Sequence, residues 1–242
     1  MNTAVNIVGF GNSASSFWQG LKAGEFANQE IWAINNVFNE RRSGDKPTII
    51  FALDDLQRDE TEYPDYVDGI VNAGVPVITC TAYDKWPATQ AYPIKEVALD
   101  FMGLPLGLAQ RVFSNTWCYA FAYALWKLRT HYDPLEVRLN SRGPVIRLWG
   151  ADFVQSDMAD PFGVARAQRK LKKGHPWWFV YYQESMIRKP LEPGLDGLTF
   201  LLGWAEAMGY NVFIPSDCGL MGLDRPGFFY GFSVAPSIED AI

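Results

Sequence analysis

The sequence predicts an α/β fold, a mostly parallel sheet with helices on both faces and one long insertion placed as a lid. Three observations carry this reading. Six short, β-branched apolar runs recur along the chain, each followed by glycine or small polar residues. The runs are nearly continuous rather than alternating, the pattern of strands buried on both faces. Helical stretches lie between them, and a helix between two buried strands makes the crossover that parallel pairing needs. One domain over residues 1–242 fits this alternation, with the insertion at about 153–193.

The runs follow in order. Residues 5–8 end in Gly9-Phe10-Gly11-Asn12-Ser13, and residues 31–34 end in Asn35-Asn36. Residues 48–53 end in Asp54-Asp55, and residues 75–79 close on Cys80-Thr81. Residues 145–149 end in Gly150-Ala151-Asp152, and residues 212–214 in Pro215-Ser216-Asp217. Helices are expected over 62–73, 116–129 and 196–208. The second follows Ser114-Asn115-Thr116, good N-capping chemistry, and the third stops at Gly209, a C-capping residue. Two stretches break the alternation. Residues 83–113 are rich in proline and aromatic rings, and residues 153–193 carry Pro161, Gly174, Pro176, Pro190 and Pro193. Long insertions of this kind in a compact α/β domain are commonly functional loops.

Composition narrows the classes. The chain of 242 residues has 21 Lys and Arg against 27 Asp and Glu, a net charge of −6. An acidic chain argues against a broad electrostatic surface for nucleic acid. The local run Arg166, Arg169, Lys170, Lys172 and Lys173 is either a solvated helix face or a patch for a phosphate-rich acceptor, nucleic acid included. The longest apolar stretch, 117–126, is far below the roughly 20 residues that span a bilayer. The N-terminus carries no basic region with a long apolar run, so a cytoplasmic location and no membrane partner are expected. Cys80, Cys118 and Cys218 are odd in number and widely spaced, which supports neither a disulfide framework nor a zinc site. Aromatic residues make up 15% of the chain, with nine Trp. Trp177-Trp178-Phe179 and Phe228-Phe229-Tyr230 read as a stacking platform, as core, or as a contact in a homo-oligomer.

In an open parallel sheet, ligands bind beyond the carboxyl ends of the strands. The Gly9–Ser13 turn gives backbone N–H groups access to a phosphate, with the following helix N-terminus adding its dipole. It is neither a G-x-G-x-x-G fingerprint nor a P-loop. Asn35 adds an amide that donates to and accepts from a ribose or base. Asp54-Asp55 reads either as a cap or as a carboxylate pair for Mg²⁺. His131 reads as a cap or solvent residue. His175, in a basic loop, and Glu184 are candidate general bases.

The segments 7–13 and 33–36 resemble the opening of bacterial sialyltransferases of the Campylobacter type and the related 6-hydroxymethylpterin diphosphokinase-like proteins, a group common in phages. Residues 114–120 resemble the serine-containing helix start of that group. Residues 146–153, ending in Gly150-Ala151-Asp152-Phe153, resemble its strand ending in Gly-x-Asp. The helix ending at Gly209 and residues 211–216 resemble its closing helix and strand. The resemblance implies a Rossmann-like domain that binds a nucleotide donor at these strand ends, and for a phage-encoded member it implies the host cytoplasm. It implies that Gly9, Phe10, Gly11, Asn12 and Ser13 meet the donor phosphate and that Asn35 and Asn36 meet the sugar or base. It further implies that Ser114, Asn115 and Thr116 approach the phosphate, with Asp152 and Phe153 by the nucleotide. Phe10 stands where those enzymes carry Asn, Asn115 where they carry Gly, and no histidine follows His175.

The expected activity is transfer of a sugar from a nucleotide-sugar donor to a hydroxyl acceptor. His175 or Glu184 would take the acceptor proton, with Asp152 in the catalytic set. The nucleotide sugar is a substrate, and no cofactor is firmly implied. The alternatives are an ATP-dependent diphosphokinase using Asp54, Asp55 and Asp152 with Mg²⁺, and a non-catalytic nucleotide-binding protein.

Overall fold

The computed structural model describes residues 4–40, 45–129, 145–151, 191–215 and 218. Seven strands form one parallel sheet: β1 (Ala4–Val8), β2 (Glu30–Ile34), β3 (Ile49–Phe51), β4 (Val77–Thr79), β5 (Thr89–Ala91), β6 (Val145–Trp149) and β7 (Asn211–Phe213). Their spatial order is β5-β4-β3-β2-β1-β6-β7, and every pairing is parallel. With helices against both faces, the fold is α/β and Rossmann-like. From β1 the chain steps outward strand by strand to β5, then returns past β1 to β6 and β7. The direction therefore reverses between β1 and β6, and all seven carboxyl ends share one edge.

The six expected strands are present, with ends moved by at most two residues. The seventh, β5, corrects the reading of 83–113 as an insertion. That stretch folds into β5, a π-helical turn over Lys95–Phe101 and helix α5 (Leu106–Val112). Thr89-Gln90-Ala91 carries no apolar run because β5 is an edge strand, with Gln90 and Ala91 exposed. The insertion expected at 153–193 lies outside the described residues up to 190.

The remaining helices are α1 (Ser15–Lys22), α2 (Val37–Glu40), α3 (Leu56–Glu62), α4 (Pro64–Val71), α6 (Thr116–Leu128) and α7 (Leu191–Ala207). One helix was expected at 62–73, and two elements meet there instead. Pro64 opens α4, and the residue before a proline is driven out of the helical region. Tyr63 accordingly sits at φ −138 and ψ 61. Gly209, at φ +80, ends the closing helix with its N–H on the Glu206 carbonyl at 2.8 Å, as its C-capping role requires.

Two apolar layers hold the sheet. On one face Val5, Ile7, Ile34, Phe51, Ile146 and Leu148 pack with Phe121 and Leu125 of α6 and Leu198 and Leu201 of α7. On the other, Val8, Ile31, Ala33, Ile50 and Val77 pack with Phe17 of α1, Leu56 of α3 and Ile70 of α4. Each large side chain so buried contributes about 1.5–3 kcal/mol. The second layer also contains a polar group. Asn6, fully buried in β1, donates to Gln29 Oε1 (3.0 Å) and to the Glu30 carbonyl (3.2 Å). Its Oδ1 accepts from Trp149 Nε1 at 3.1 Å, so the amide is satisfied at both ends. Among the described residues no helix is long and apolar enough to cross a membrane.

Candidate functional site

The crevice where strand order reverses is the expected ligand position in such sheets. Here it lies between the ends of β1 and β6, and backbone bonds clasp it shut. Gly9 N–H donates to the Trp149 carbonyl (2.8 Å) and Gly11 N–H to the Gly150 carbonyl (3.1 Å). Ser13, almost fully buried, accepts from the Gly150 N–H through its Oγ at 3.2 Å. Gly150 itself stands at φ +80, and a methyl there would lie 2.8 Å from the Gly9 oxygen and 2.9 Å from the Gly11 nitrogen. The glycine spacing that reads as phosphate access thus also serves strand-to-strand packing, and two of the turn's N–H groups are committed to it.

Gly9 has a second role. A Cβ at this position would sit 2.4 Å from Trp117 Cζ2 and 3.3 Å from the Gly150 oxygen. The room beside the Gly9 Cα is filled by the indole of Trp117. This contact brings the 9–13 turn and the start of α6 together, as the sequence expects of these two segments. Asn115 is the N-cap of α6, with Oδ1 accepting from Cys118 N–H at 3.0 Å, and Thr116 opens the helix half-buried. Ser114 is exposed. A methyl at Gly197 of α7 would lie 2.3 Å from the Val112 oxygen and 3.1 Å from Ser114 Oγ, so the absent side chain lets α7 press against the 112–114 turn.

The turn leads through a short 3-10 segment, Asn12–Ala14, into α1. No side chain caps α1, whose N-cap is Ala14, and its first residues Ser15 and Ser16 are exposed. Neither serine is among the residues expected at the site, and a pair of hydroxyl residues directly after a glycine turn is the signal that marks them. The helical run therefore begins with the 3-10 turn at Asn12, and the exposed hydroxyls of Ser15 and Ser16 follow it on α1.

At the end of β2, Asn35 adopts a left-handed backbone, φ +55, which Asn tolerates better than most residues. Its N–H donates to the Phe51 carbonyl at 2.8 Å, and its Oδ1 is buried without a hydrogen-bond partner. Asn36 is buried beside it. On α1, the indole N–H of Trp18 is likewise buried without a partner, and its ring meets Phe38 edge-on at 5.0 Å.

At the end of β3, Asp55 is the N-cap of α3, its Oδ1 accepting from Gln57 N–H (3.1 Å) and Arg58 N–H (3.3 Å). Of the two expected readings of Asp54-Asp55, capping therefore holds for Asp55, while Asp54 is exposed. At the end of β4, exposed Cys80 places its Sγ 3.6 Å from the hydroxyl of buried Tyr83. Burial, followed by the Cys80 contact, pushes the Tyr83 phenol up to about 12. Tyr119, on the first turn of α6, is also raised, first by burial and then by Cys118 and Cys80.

Asp152, Phe153, His175, Glu184, His131, Ser216 and the basic residues Arg166, Arg169, Lys170, Lys172 and Lys173 lie outside the described residues, as do both aromatic triplets. Within them, the structure gathers the 9–13 turn, Ser114–Thr116, Asn35 and Asp54 along one edge of the sheet, joined by Ser15, Ser16, Trp117 and Gly150. No family model, no curated protein and no solved structure matches the chain.

Proposed function

We propose that this chain binds a nucleotide-sugar donor along the carboxyl edge of its sheet and transfers the sugar to a hydroxyl acceptor. The observation that carries the reading is Asn35. Its main chain is fixed to Phe51 and its buried Oδ1 meets no protein donor. A buried acceptor left unmade costs about 1–3 kcal/mol, and a ribose hydroxyl or base amino group supplies the missing donor. The helical run that opens at Asn12 and continues into α1, with Ser13 buried and Ser15 and Ser16 exposed, lies one strand along and would meet the donor phosphate.

In the reaction the acceptor oxygen attacks the anomeric carbon and the bond from that carbon to the phosphate oxygen breaks. The nucleotide leaves as an ionised phosphate, and a base takes the acceptor proton. His175 and Glu184 are the bases that the sequence offers, and the resemblance assigns Asp152 to the nucleotide region. Because the leaving group is already an anion, stabilising its charge matters more than protonating it. A diphosphokinase reading, with Mg²⁺ on Asp54, Asp55 and Asp152, is weaker because Asp55 already caps α3.

A thermal-shift screen with CMP, UDP, GDP, ADP and ATP and the matching nucleotide sugars, with and without Mg²⁺, tests the proposal. A ligand at 100 times its Kd is expected to stabilise by about 2.7 kcal/mol. Asn35→Ala is expected to remove most of that shift while the protein stays folded. Binding without sugar release leaves a nucleotide-binding protein, and magnesium-dependent use of ATP alone points to the kinase. No shift with any nucleotide overturns the reading.

A further inference from the structure

We propose that the outer surface of the π-helical turn, α5 and the middle of α7 is a contact for a second copy of this chain. The contact is separate from the nucleotide site and does not depend on it.

The exposed apolar residues gather here. Seven large apolar side chains are exposed among the described residues, and five of them, Ile94, Leu99, Leu106, Leu108 and Phe200, belong to these elements. Leu106, at the head of α5, is 65% exposed. The three elements pack together. Gly103 N–H donates to the Leu99 carbonyl (3.1 Å) and Leu104 N–H to the Ala98 carbonyl (2.9 Å), which folds the end of the π-helical turn onto the approach to α5. Phe101 meets Trp204 of α7 edge-on at 5.3 Å, and Phe200 lies one helical turn before Trp204. Gathered apolar residues of this kind mark an interaction surface, whereas scattered ones do not. A π-helix is itself rare and concentrates at functional sites.

Two glycines point outward as well. Gly107 of α5 and Gly203 of α7 are exposed inside helices, where glycine is a poor helix former. Neither has a positive φ, and a Cβ at either would meet nothing within 4 Å. Their own fold therefore does not require them. Gly107 lies between Leu106 and Leu108, and Gly203 lies three residues after Phe200, on the same side of α7. Both leave the helix backbone open to close approach from outside.

Charge selects the partner. Exposed Lys95, Glu96, Asp100 and Arg111 adjoin the apolar residues, and none of the four is in an ion pair among the described residues. Two cations and two anions make a neutral rim on a chain of net charge −6. Such a rim is self-complementary, because a two-fold axis sets one patch against its own copy and lets cations meet anions. A strongly charged partner calls for a rim of one sign, and an anionic lipid surface for a basic one.

Sedimentation velocity of the full chain, from micromolar to submillimolar concentration, tests the contact. A reversible monomer–dimer equilibrium is expected. Leu106→Asp should weaken it by at least about thirtyfold with unchanged circular dichroism, since the side chain is mostly exposed. Gly107→Gln, a better helix former, should weaken the dimer while helix content is kept, which separates contact from folding. The double variants Lys95→Glu with Arg111→Glu and Glu96→Lys with Asp100→Lys should each dimerise poorly alone and recombine when mixed. If Leu106→Asp does not fold, Gly107→Gln and the mixed charge variants decide. A chain monomeric throughout, or a dimer indifferent to these changes, overturns the proposal. Flotation of such a monomer with phosphatidylserine vesicles would assign the face to a membrane instead. Alkylation of a Leu106→Cys monomer much slower than that of exposed Cys80 would assign it to another segment of the same chain.

Discussion

Ser13 Oγ accepts the backbone N–H of Gly150 at 3.2 Å, a buried bond between residues 137 positions apart. It ties the turn after β1 to the end of β6, at the seam where the strand order reverses. Removing the hydroxyl leaves a buried donor unpaired.

Ser13→Ala is therefore expected to lower stability by about 1–3 kcal/mol. Gly150→Ala is expected to cost more, because it combines a left-handed backbone with a methyl 2.8 Å from the Gly9 oxygen. Urea unfolding of both variants checks the order of the two effects. An unchanged midpoint for Ser13→Ala would show that the seam does not depend on this bond.

Asn115 has a measurable role apart from any ligand. Its cap on Cys118 N–H is worth about 1 kcal/mol, and Asn115→Ala should lose it while Asn115→Asp retains it. Thermal denaturation of the two variants separates capping from loss of shape, since only the alanine removes the acceptor.

The cysteines should differ sharply in reactivity. Cys80 is exposed, whereas Cys118 and Cys218 are buried, and burial pushes the Cys118 thiol up to about 11. Alkylation at neutral pH followed by peptide mass spectrometry is expected to label Cys80 first and the other two only after unfolding. Labelling of Cys118 at a rate close to that of Cys80 would mean that α6 opens readily.

Stability should fall on the alkaline side. Tyr83 is pushed up to about 12 and Tyr92 well above its ordinary value of 10.0, both chiefly by burial. Above pH 10 the unfolded chain releases these protons and the folded chain holds them, so unfolding is favoured as pH rises. The Tyr83 contribution is fully present below pH 10 and is lost through about 12, and that of Tyr92 is lost in the same direction. Tyrosinate absorbance and circular dichroism, followed together, should show these phenols ionising only as the fold is lost. Full ionisation of every tyrosine with unchanged dichroism would remove burial as the cause.

How much of this was legible in the sequence differs from element to element. Residues 145–149 read as a strand and form β6 with the same ends, because four of its five residues are apolar and Ile146, Leu148 and Trp149 are buried. The Asn115 cap and the Gly209 stop were equally plain, since both depend on neighbours within a few residues. Thr89-Gln90-Ala91 was invisible as a strand. An edge strand at the rim of the sheet need not be apolar, and its pairing partner Val77-Ile78-Thr79 is ten or more residues away.

The candidate site divides in the same way. That Gly9, Gly11, Ser13 and Asn35 stand in the turns at strand ends was readable, because such turns carry local chemistry in their residue types. Their actual partners were not. Gly9 meets Trp117 across 108 positions of chain and Ser13 meets Gly150 across 137, contacts that strand order alone creates. By itself, then, the sequence determined which segments are strands and helices and which turns lie at the edge, because periodicity and capping are short-range. Only the tertiary structure decided that the glycine turn closes on β6 and shelters an indole, because packing brings together residues that no local signal relates.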